Sequence, residues 1–161
     1  MLRRAIRLAD GRSESAWESM LRMLHTACHI PVEPQFEVYD GQGLFVARGD
    51  LRIKGTTTLH EYDGDEHLKR HRQRKDLGRQ RRIGHVNWTR RAYTSHEVLK
   101  QAVSILRDAD ASLGRPHRPE RVRHWHALLA GSLFTPSGTE RLRARWGMPP
   151  TEGEDRQARG A

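Results

Sequence analysis

The sequence predicts an α/β (α+β) protein whose elements run helix, three strands, helix, strand, helix within residues 1–112. Three observations predict this order. Apolar residues recur at helical spacing in two segments, short β-branched and aromatic runs separated by turn residues lie between them, and a long basic stretch precedes the fourth strand. An apolar content of 35% is enough for one modest core, so one domain is expected, followed by a basic C-terminal extension over residues 113–161.

The first helix is predicted from Ser15 to Cys28, because its apolar residues recur at three- and four-residue steps. Ser15 and Glu18 have the spacing of a capping box, in which the two side chains satisfy free amides at the helix start. Two antiparallel strands, 36–39 and 44–53, are expected to follow, joined by a turn over 40–43 that is rich in glycine.

The β-branched run that begins at Thr56 and ends at Tyr62 predicts a third strand. Residues 65–83 are basic and poor in apolar side chains, which predicts a mostly exposed helix. Residues 86–88 are expected to form a short fourth strand. Thr94 and Glu97 then repeat the capping-box spacing before an apolar stripe that predicts a last core helix reaching Ala109.

The C-terminal extension has a different character. Gly114, Pro116 and Pro119 break the chain, residues 120–133 are expected to form a helix, and residues 149–161 are polar enough to be disordered.

Charge and cysteine content limit the classes of function. The chain has 29 Lys and Arg residues against 20 Asp and Glu residues, so it should attract polyanions, of which nucleic acid is the commonest. The single cysteine, Cys28, cannot form an internal disulfide, and no apolar run is long enough for a membrane span. The basic N-terminus has no apolar h-region and does not resemble a signal peptide. A cytoplasmic protein without a membrane partner is therefore expected.

An acidic group lies at the ends of the second and third predicted strands. Asp50 and Glu61 are eleven residues apart, with Lys54-Gly55 able to turn the chain between them. Neighbouring strands lie about 4.8 Å apart, so carboxylates on one face could share a divalent ion. Asp63 returns to that face if the strand continues. The alternative without a metal site is that these carboxylates are solvated or paired with Lys and Arg.

Basic side chains follow this acidic group. His67 is expected near the start of the basic helix and within reach of the acidic centre. The helix could hold phosphates on either side of a cleaved bond. The side chains predicted to do so are those of Lys69, Arg70, Arg72, Arg74 and Lys75.

The same residues carry a family resemblance, which runs from about residue 9 to residue 107. The chain resembles actinobacterial domains of unknown function that are related to very-short-patch mismatch-repair endonucleases. The matching motifs are Asp10-Gly11-Arg12-Ser13-Glu14-Ser15 with Glu18-Ser19, Gly49-Asp50-Leu51, Glu61-Tyr62-Asp63-Gly64 with His67, and Asp76 with Arg79.

The resemblance implies a restriction-endonuclease-like core, with a central mixed four-stranded sheet flanked by helices. It implies that Asp50 and Glu61 hold Mg²⁺ or Mn²⁺, and that Asp63 stands where the wider superfamily often has lysine. We expect Asp63 to be a third ligand of the metal ion. His67 would be a general acid or base, Glu18 would approach from the first helix, and Arg79, with Asp76, would organise the DNA-binding basic helix. The expected function is a metal-dependent DNA endonuclease in DNA repair or phage defence, and a homodimer would let it cut both strands.

Other interpretations stay open. Glu18 has a sufficient role as a capping residue, and His67 with His71 could bind zinc, although no third ligand has matching spacing. The chain could instead be a non-catalytic nucleic-acid-binding module of a toxin–antitoxin or phage-defence pair. A truncated reading frame is a third possibility, because related chains often carry an N-terminal DNA-binding domain.

Overall fold

A computed structural model describes residues 10–64 and 69–149, with the backbone alone over residues 69–76. It confirms the α/β class and the order of the predicted elements, except that the last core helix is split in two. The elements of the first part of the chain are α1 (Ala16–Ala27), β1 (Val32–Tyr39), β2 (Phe45–Ile53), β3 (Thr58–Tyr62), α2 (Lys69–His85), β4 (Thr89–Tyr93), α3 (Ser95–Lys100) and α4 (Ala102–Ser112).

The four strands form one mixed sheet in the order β1-β2-β3-β4. The first three strands are antiparallel neighbours because short turns join them, with Leu51 opposite His60 in the β2–β3 pair. Strand β4 is parallel to β3, with Glu61 opposite Ala92, because helix α2 carries the chain back between them. The mixed four-stranded sheet flanked by helices is thus confirmed.

Helices α1 and α2 cover opposite faces of this sheet. Successive side chains on a strand point to opposite faces. On β3, His60 meets His25 of α1, whereas Leu59 belongs to the buried cluster that contains Ile83 of α2. The buried members of that cluster are Val38, Ala47, Leu59 and Ile83.

Helix α1 begins as the sequence predicts, but its capping box is only half formed. The Ser15 hydroxyl accepts a hydrogen bond from the Glu18 amide at 3.1 Å. The Glu18 carboxylate accepts from the Glu14 amide at 2.8 Å, one residue before the position that a capping box requires. Glu18 is therefore oriented by the segment that precedes the helix.

The expected fourth strand at residues 86–88 is wrong by three residues. The amides of Val86 and Trp88 both donate to the Ile83 carbonyl, and Asn87 has a φ of 59°, so this segment is the turn that ends α2. Strand β4 begins at Thr89. It lies at the edge of the sheet, where a strand can be as polar as Thr-Arg-Arg-Ala-Tyr.

The last core helix is broken at Gln101, whose φ of −125° and ψ of 32° are not helical. The capping box of Thr94 and Glu97 is confirmed at the start of α3. The two short helices still bury most of the predicted apolar stripe, namely Val98, Ala102, Ile105, Leu106 and Ala109, whereas Leu99 is only partly buried.

A chain of close polar contacts crosses the core beside β3. His25 Nδ1 faces the Leu21 carbonyl at 2.7 Å, and His25 Nε2 lies 2.9 Å from His60 Nδ1. His60 Nε2 lies 3.3 Å from the Tyr93 hydroxyl, which donates to Asp108 at 3.0 Å. These partners explain how a strand as polar as β3 can be buried.

The first compact unit extends through Trp125. The Trp125 indole is buried and donates to the Val98 carbonyl at 3.0 Å. Asp110, also buried, is bound by Arg115, His117 and Arg121, which fixes the chain after α4. The elements of this region are a 3₁₀ turn (Pro119–Arg121) and α5 (Val122–Leu129), which crosses the unit boundary.

The second unit covers residues from His126 onward and contains α6 (Pro136–Arg145). Thr135 caps this helix by accepting from the Gly138 amide, and Gly138 lies so close to the Ser132 carbonyl that no side chain would fit there. From residue 150 onward, the polar tail that the sequence predicts to be disordered lies outside the described residues. Within the described ranges, every helix is too short or too polar to cross a membrane.

Candidate active site

Asp50, near the C-terminal end of β2, is the centre of the candidate site. Its Oδ2 atom accepts a hydrogen bond from the Tyr62 amide at 2.8 Å, which ties the ends of β2 and β3 together. The pKa of Asp50 is raised to about 6, mainly by burial and in smaller part by the nearby carboxylates of Glu18 and Glu61, against the opposing effects of the Tyr62 amide and Arg79. The structure therefore places three of the predicted site residues, and Arg79, in one electrostatic neighbourhood.

Gly49 lets β2 approach the core closely just before Asp50. A Cβ atom at this position would lie 2.8 Å from Cδ2 and 2.9 Å from Cδ1 of Leu59. Leu59 is fully buried and cannot move without disturbing its cluster. Only glycine fits without a shift, so the packing of β2 on Leu59 fixes the position of Asp50.

Glu61 is almost fully buried, with 3% of its side chain exposed, and both of its oxygens are occupied. The Arg79 guanidinium donates to Oε2 at 3.0 Å and to Oε1 at 2.8 Å, and also to the Arg48 carbonyl. Arg90 Nε donates to Oε2 at 2.5 Å. Glu61 thus holds two arginine side chains, one from α2 and one from β4, in the position where the sequence predicted a metal ion.

Glu18 reaches the site from the first turn of α1. Its Oε2 atom accepts from the Glu14 amide and from Gln35 Nε2, the latter at 3.0 Å. Gln35 lies in β1 with a φ of 52°, an uncommon value for a residue other than glycine. Glu18 thus contributes to the raised pKa of Asp50 while it also serves at the helix start.

Asp63 lies one residue beyond β3 and is exposed. Its amide donates to the Tyr93 carbonyl at 2.8 Å, so the backbone still follows the sheet. The charged groups that shift the pKa of Asp50 are Glu18, Glu61 and Arg79. The structure does not bring Asp63 into that group.

The basic residues expected to bind DNA are described only in part. His67 lies outside the described residues. The side chains of residues 69–76 also do, although their backbone is helical from Lys69. This covers Lys69, Arg70, Arg72, Arg74 and Lys75. Arg79 is described, and it binds Glu61.

Sequence reasoning missed two features of the site. The contact of Arg90 with Glu61 was not predicted because the fourth strand was expected three residues too early. The Trp17 and Tyr62 rings stack with centroids 5.4 Å apart and an interplanar angle of 10°, which joins α1, the helix of Glu18, to β3, the strand of Glu61. No local pattern in the sequence predicts either contact, since each joins distant segments.

The site residues fit a divalent ion only in part. Over residues 10–64 and 69–149, no group of three or more His, Cys, Asp or Glu side chains is arranged to hold a metal. Asp50 and Glu18 each keep one carboxylate oxygen that accepts no hydrogen bond from the described residues. Their mutual repulsion is what a hard cation would relieve. Glu61, bound by two guanidinium groups, offers no free oxygen.

Neither a scan against protein-family models nor searches of curated proteins and of solved structures finds a match to this chain. The function is therefore inferred from the site itself.

Proposed function

We propose that the chain is a divalent-metal-dependent DNA endonuclease with a restriction-endonuclease-like core, acting in DNA repair or phage defence. The observation that carries this proposal is the Asp50 carboxyl group, held at the sheet end beside Glu18 and Glu61 with its pKa raised to about 6. A buried carboxylate among like charges destabilises the fold, and such groups occur mainly where they serve a function. The mixed sheet and the element order are compatible with the proposed core.

In this proposal Asp50 and Glu18 hold the ion, because each has a carboxylate oxygen that accepts no hydrogen bond from the described residues. This replaces Glu61 and Asp63 of the sequence prediction. Bound Mg²⁺ or Mn²⁺ supplies Lewis-acid polarisation of a phosphodiester and a water of lowered pKa. Glu61 holds Arg79 and Arg90 at the edge of the site, where their charge favours a phosphate group. His67 remains a proposed general acid or base.

Cleavage of supercoiled plasmid and of a mismatched duplex in Mg²⁺ or Mn²⁺ tests this proposal. Asp50→Asn and Glu18→Gln should each lower the rate by roughly 10²-fold or more. Glu120→Gln, at an exposed position of the 3₁₀ turn of the first unit, makes the same chemical change at a residue outside the site and should leave the rate unchanged. An absence of nicking by the wild-type chain, or nicking that Asp50→Asn leaves intact, would refute the proposal.

A second candidate function is a nucleic-acid-binding module without catalysis, the alternative that the sequence left open. The pairing of Glu61 with Arg79 and Arg90 favours it, because a carboxylate paired with two arginines needs no metal. This function predicts salt-dependent DNA binding that is unaffected by a chelator and survives Asp50→Asn. Duplex binding that EDTA leaves unchanged, together with an absence of cleavage in Mg²⁺ or Mn²⁺, would favour this second function over the first. Light scattering of the same complexes would show whether two copies bind one duplex, as cutting both strands requires.

A further inference from the structure

A groove of about 580 Å³ lies between helix α1 and the outer edge of strand β1, away from the Asp50 carboxylate. Ile30, Pro31, Val32 and Pro34 form a mainly apolar wall along β1, which is interrupted by Glu33. The opposite wall is polar and comes from α1, from the segment before it and from the turn after β2. The cationic lining residues are Arg12, Arg22 and Lys54.

The charges around this groove favour an anion. Two carboxylates line it, and each lies beside a guanidinium group. Asp10 accepts two side-chain hydrogen bonds from Arg12, at 2.9 and 2.8 Å, which lower its pKa to about 2. Glu33 lies 3.9 Å from Arg52. Among the lining residues, three permanent cations, Arg12, Arg22 and Lys54, therefore face two carboxylates, and Lys54 is exposed.

The groove begins next to the candidate active site. Gln35, whose side chain donates to Glu18, directly follows Pro34 of the groove wall. Arg22 lies one helical turn after Glu18, a rise of about 6 Å. Lys54 lies four residues after Asp50, which is about 13 Å along an extended chain. A polymer that crosses the acidic site along α1 and β2 would therefore enter the groove.

We propose that this groove binds phosphate groups, and that the ligand is a nucleic-acid strand which continues from the candidate active site. The placement of the cleaved bond at Asp50 rests on the proposed function, but phosphate binding in the groove does not. A row of carboxylates repels a polyanion, and a cationic groove one helical turn away offsets that repulsion. Arg22 and Lys54 would contact successive phosphates, while residues 30–34 face the sugars.

The test is the salt dependence of duplex binding, measured by fluorescence anisotropy with the full chain in EDTA between 50 and 200 mM salt. Each lost phosphate contact lowers the slope of log K against log salt by about 0.9 for duplex DNA. Lys54→Gln should lower the slope by about this amount. Lys100→Gln, an exposed lysine of α3 outside the groove, is the matched control and should leave the slope unchanged. Glu33→Gln, which removes a negative charge from the groove, should tighten binding.

Equal slopes for Lys54→Gln and Lys100→Gln, or weaker binding by Glu33→Gln, would overturn the proposal. Because the measurement uses no metal, a failure of the nuclease proposal leaves it unaffected. Amide chemical shifts of Ile30, Val32, Glu33 and Lys54 distinguish two sources of phosphate. Shifts induced by the duplex support a nucleic-acid strand as the ligand. Shifts induced by AMP alone assign the groove to a free nucleotide and overturn the proposal of a strand. An absence of shifts with either ligand overturns phosphate binding in the groove.

Discussion

Replacing Asp50 by asparagine should make the protein more stable at neutral pH while removing its proposed activity. The side chain keeps its shape, and its amide oxygen can still accept the hydrogen bond from the Tyr62 amide. What it loses is a negative charge that is partly buried and lies beside Glu18 and Glu61. The folded protein is therefore relieved of a repulsion that the unfolded chain does not experience.

The size of this effect follows from the pKa of Asp50, which rises from 3.8 in the unfolded chain to about 6 in the fold. A carboxyl group with a raised pKa in the folded state lowers stability above that pKa, and the penalty disappears as the pH falls toward 3.8. The shift corresponds to about 3 kcal/mol at pH 7.5, and partial exposure reduces this to about 1–3 kcal/mol. Such a gain should raise the melting temperature by roughly 2–4 °C for each kcal/mol.

The assay is urea unfolding of wild type, Asp50→Asn and Asp63→Asn at pH 7.5 and pH 5. Asp63 is exposed, so its amide variant is a stability control that should stay within about 0.5 kcal/mol of wild type. Asp50→Asn should be more stable than wild type at pH 7.5 and by a clearly smaller margin at pH 5. A variant less stable than wild type at pH 7.5, or a difference independent of pH, would refute this account of Asp50.

Three further predictions concern the fold around the site. Gly49→Ala should destabilise the protein by about 1–3 kcal/mol in urea, because its Cβ would lie 2.8 Å from the Leu59 side chain; Gly41→Ala, with nothing within 4 Å, is the control, and equal effects of the two would contradict the packing argument. Glu61→Gln should lower the free energy of unfolding by roughly 3 kcal/mol, since it leaves Arg79 and Arg90 without a carboxylate, and a neutral effect would show that this pairing is dispensable. Burial lowers the pKa of His25 to about 4, so the unfolded chain binds a proton that the fold excludes, and about 3 kcal/mol of stability should be lost between pH 6.5 and pH 4; because burial also lowers the pKa of His60, His25→Gln should show a smaller loss, and a loss equal to that of wild type would rule out His25 as a source.

The parts of the fold that the sequence predicts well are those encoded by local patterns. Helix α1 follows from its apolar periodicity, and the start of α3 follows from the capping box of Thr94 and Glu97. Strand β4 was misplaced because its residues are polar and lie at the sheet edge, while the more apolar segment before it turns at Asn87. The break at Gln101 involves no glycine or proline, and so it left no signal.

The sequence predicts that Asp50 and Glu61 lie close together, but it does not predict which side chains bind Glu61. Asp50 and Glu61 are close because β2 and β3 are neighbours, as the strand pattern indicates. The partners of Glu61 could not be derived, since Arg79 is 18 residues away and Arg90 is 29 residues away, and both depend on where α2 ends. The approach of Glu18 came only from the family resemblance, because its spacing from Ser15 predicts a purely local role.

The polar chain from Leu21 to Asp108 fixes which group donates and which accepts at most of its contacts. A carbonyl can only accept, so a neutral His25 carries its proton on Nδ1, and His60 must then donate from its own Nδ1 to His25 Nε2. At the other end Tyr93 donates to Asp108, which leaves two lone pairs facing each other across the 3.3 Å gap between Tyr93 and His60, the longest step of the chain. The Leu21 carbonyl and the Asp108 carboxylate at the two ends both accept hydrogen bonds. His25, His60 and Tyr93 therefore supply three protons for four contacts. The contact between His60 and Tyr93 in the middle of the core therefore has no proton with which to form a hydrogen bond while both histidines are neutral.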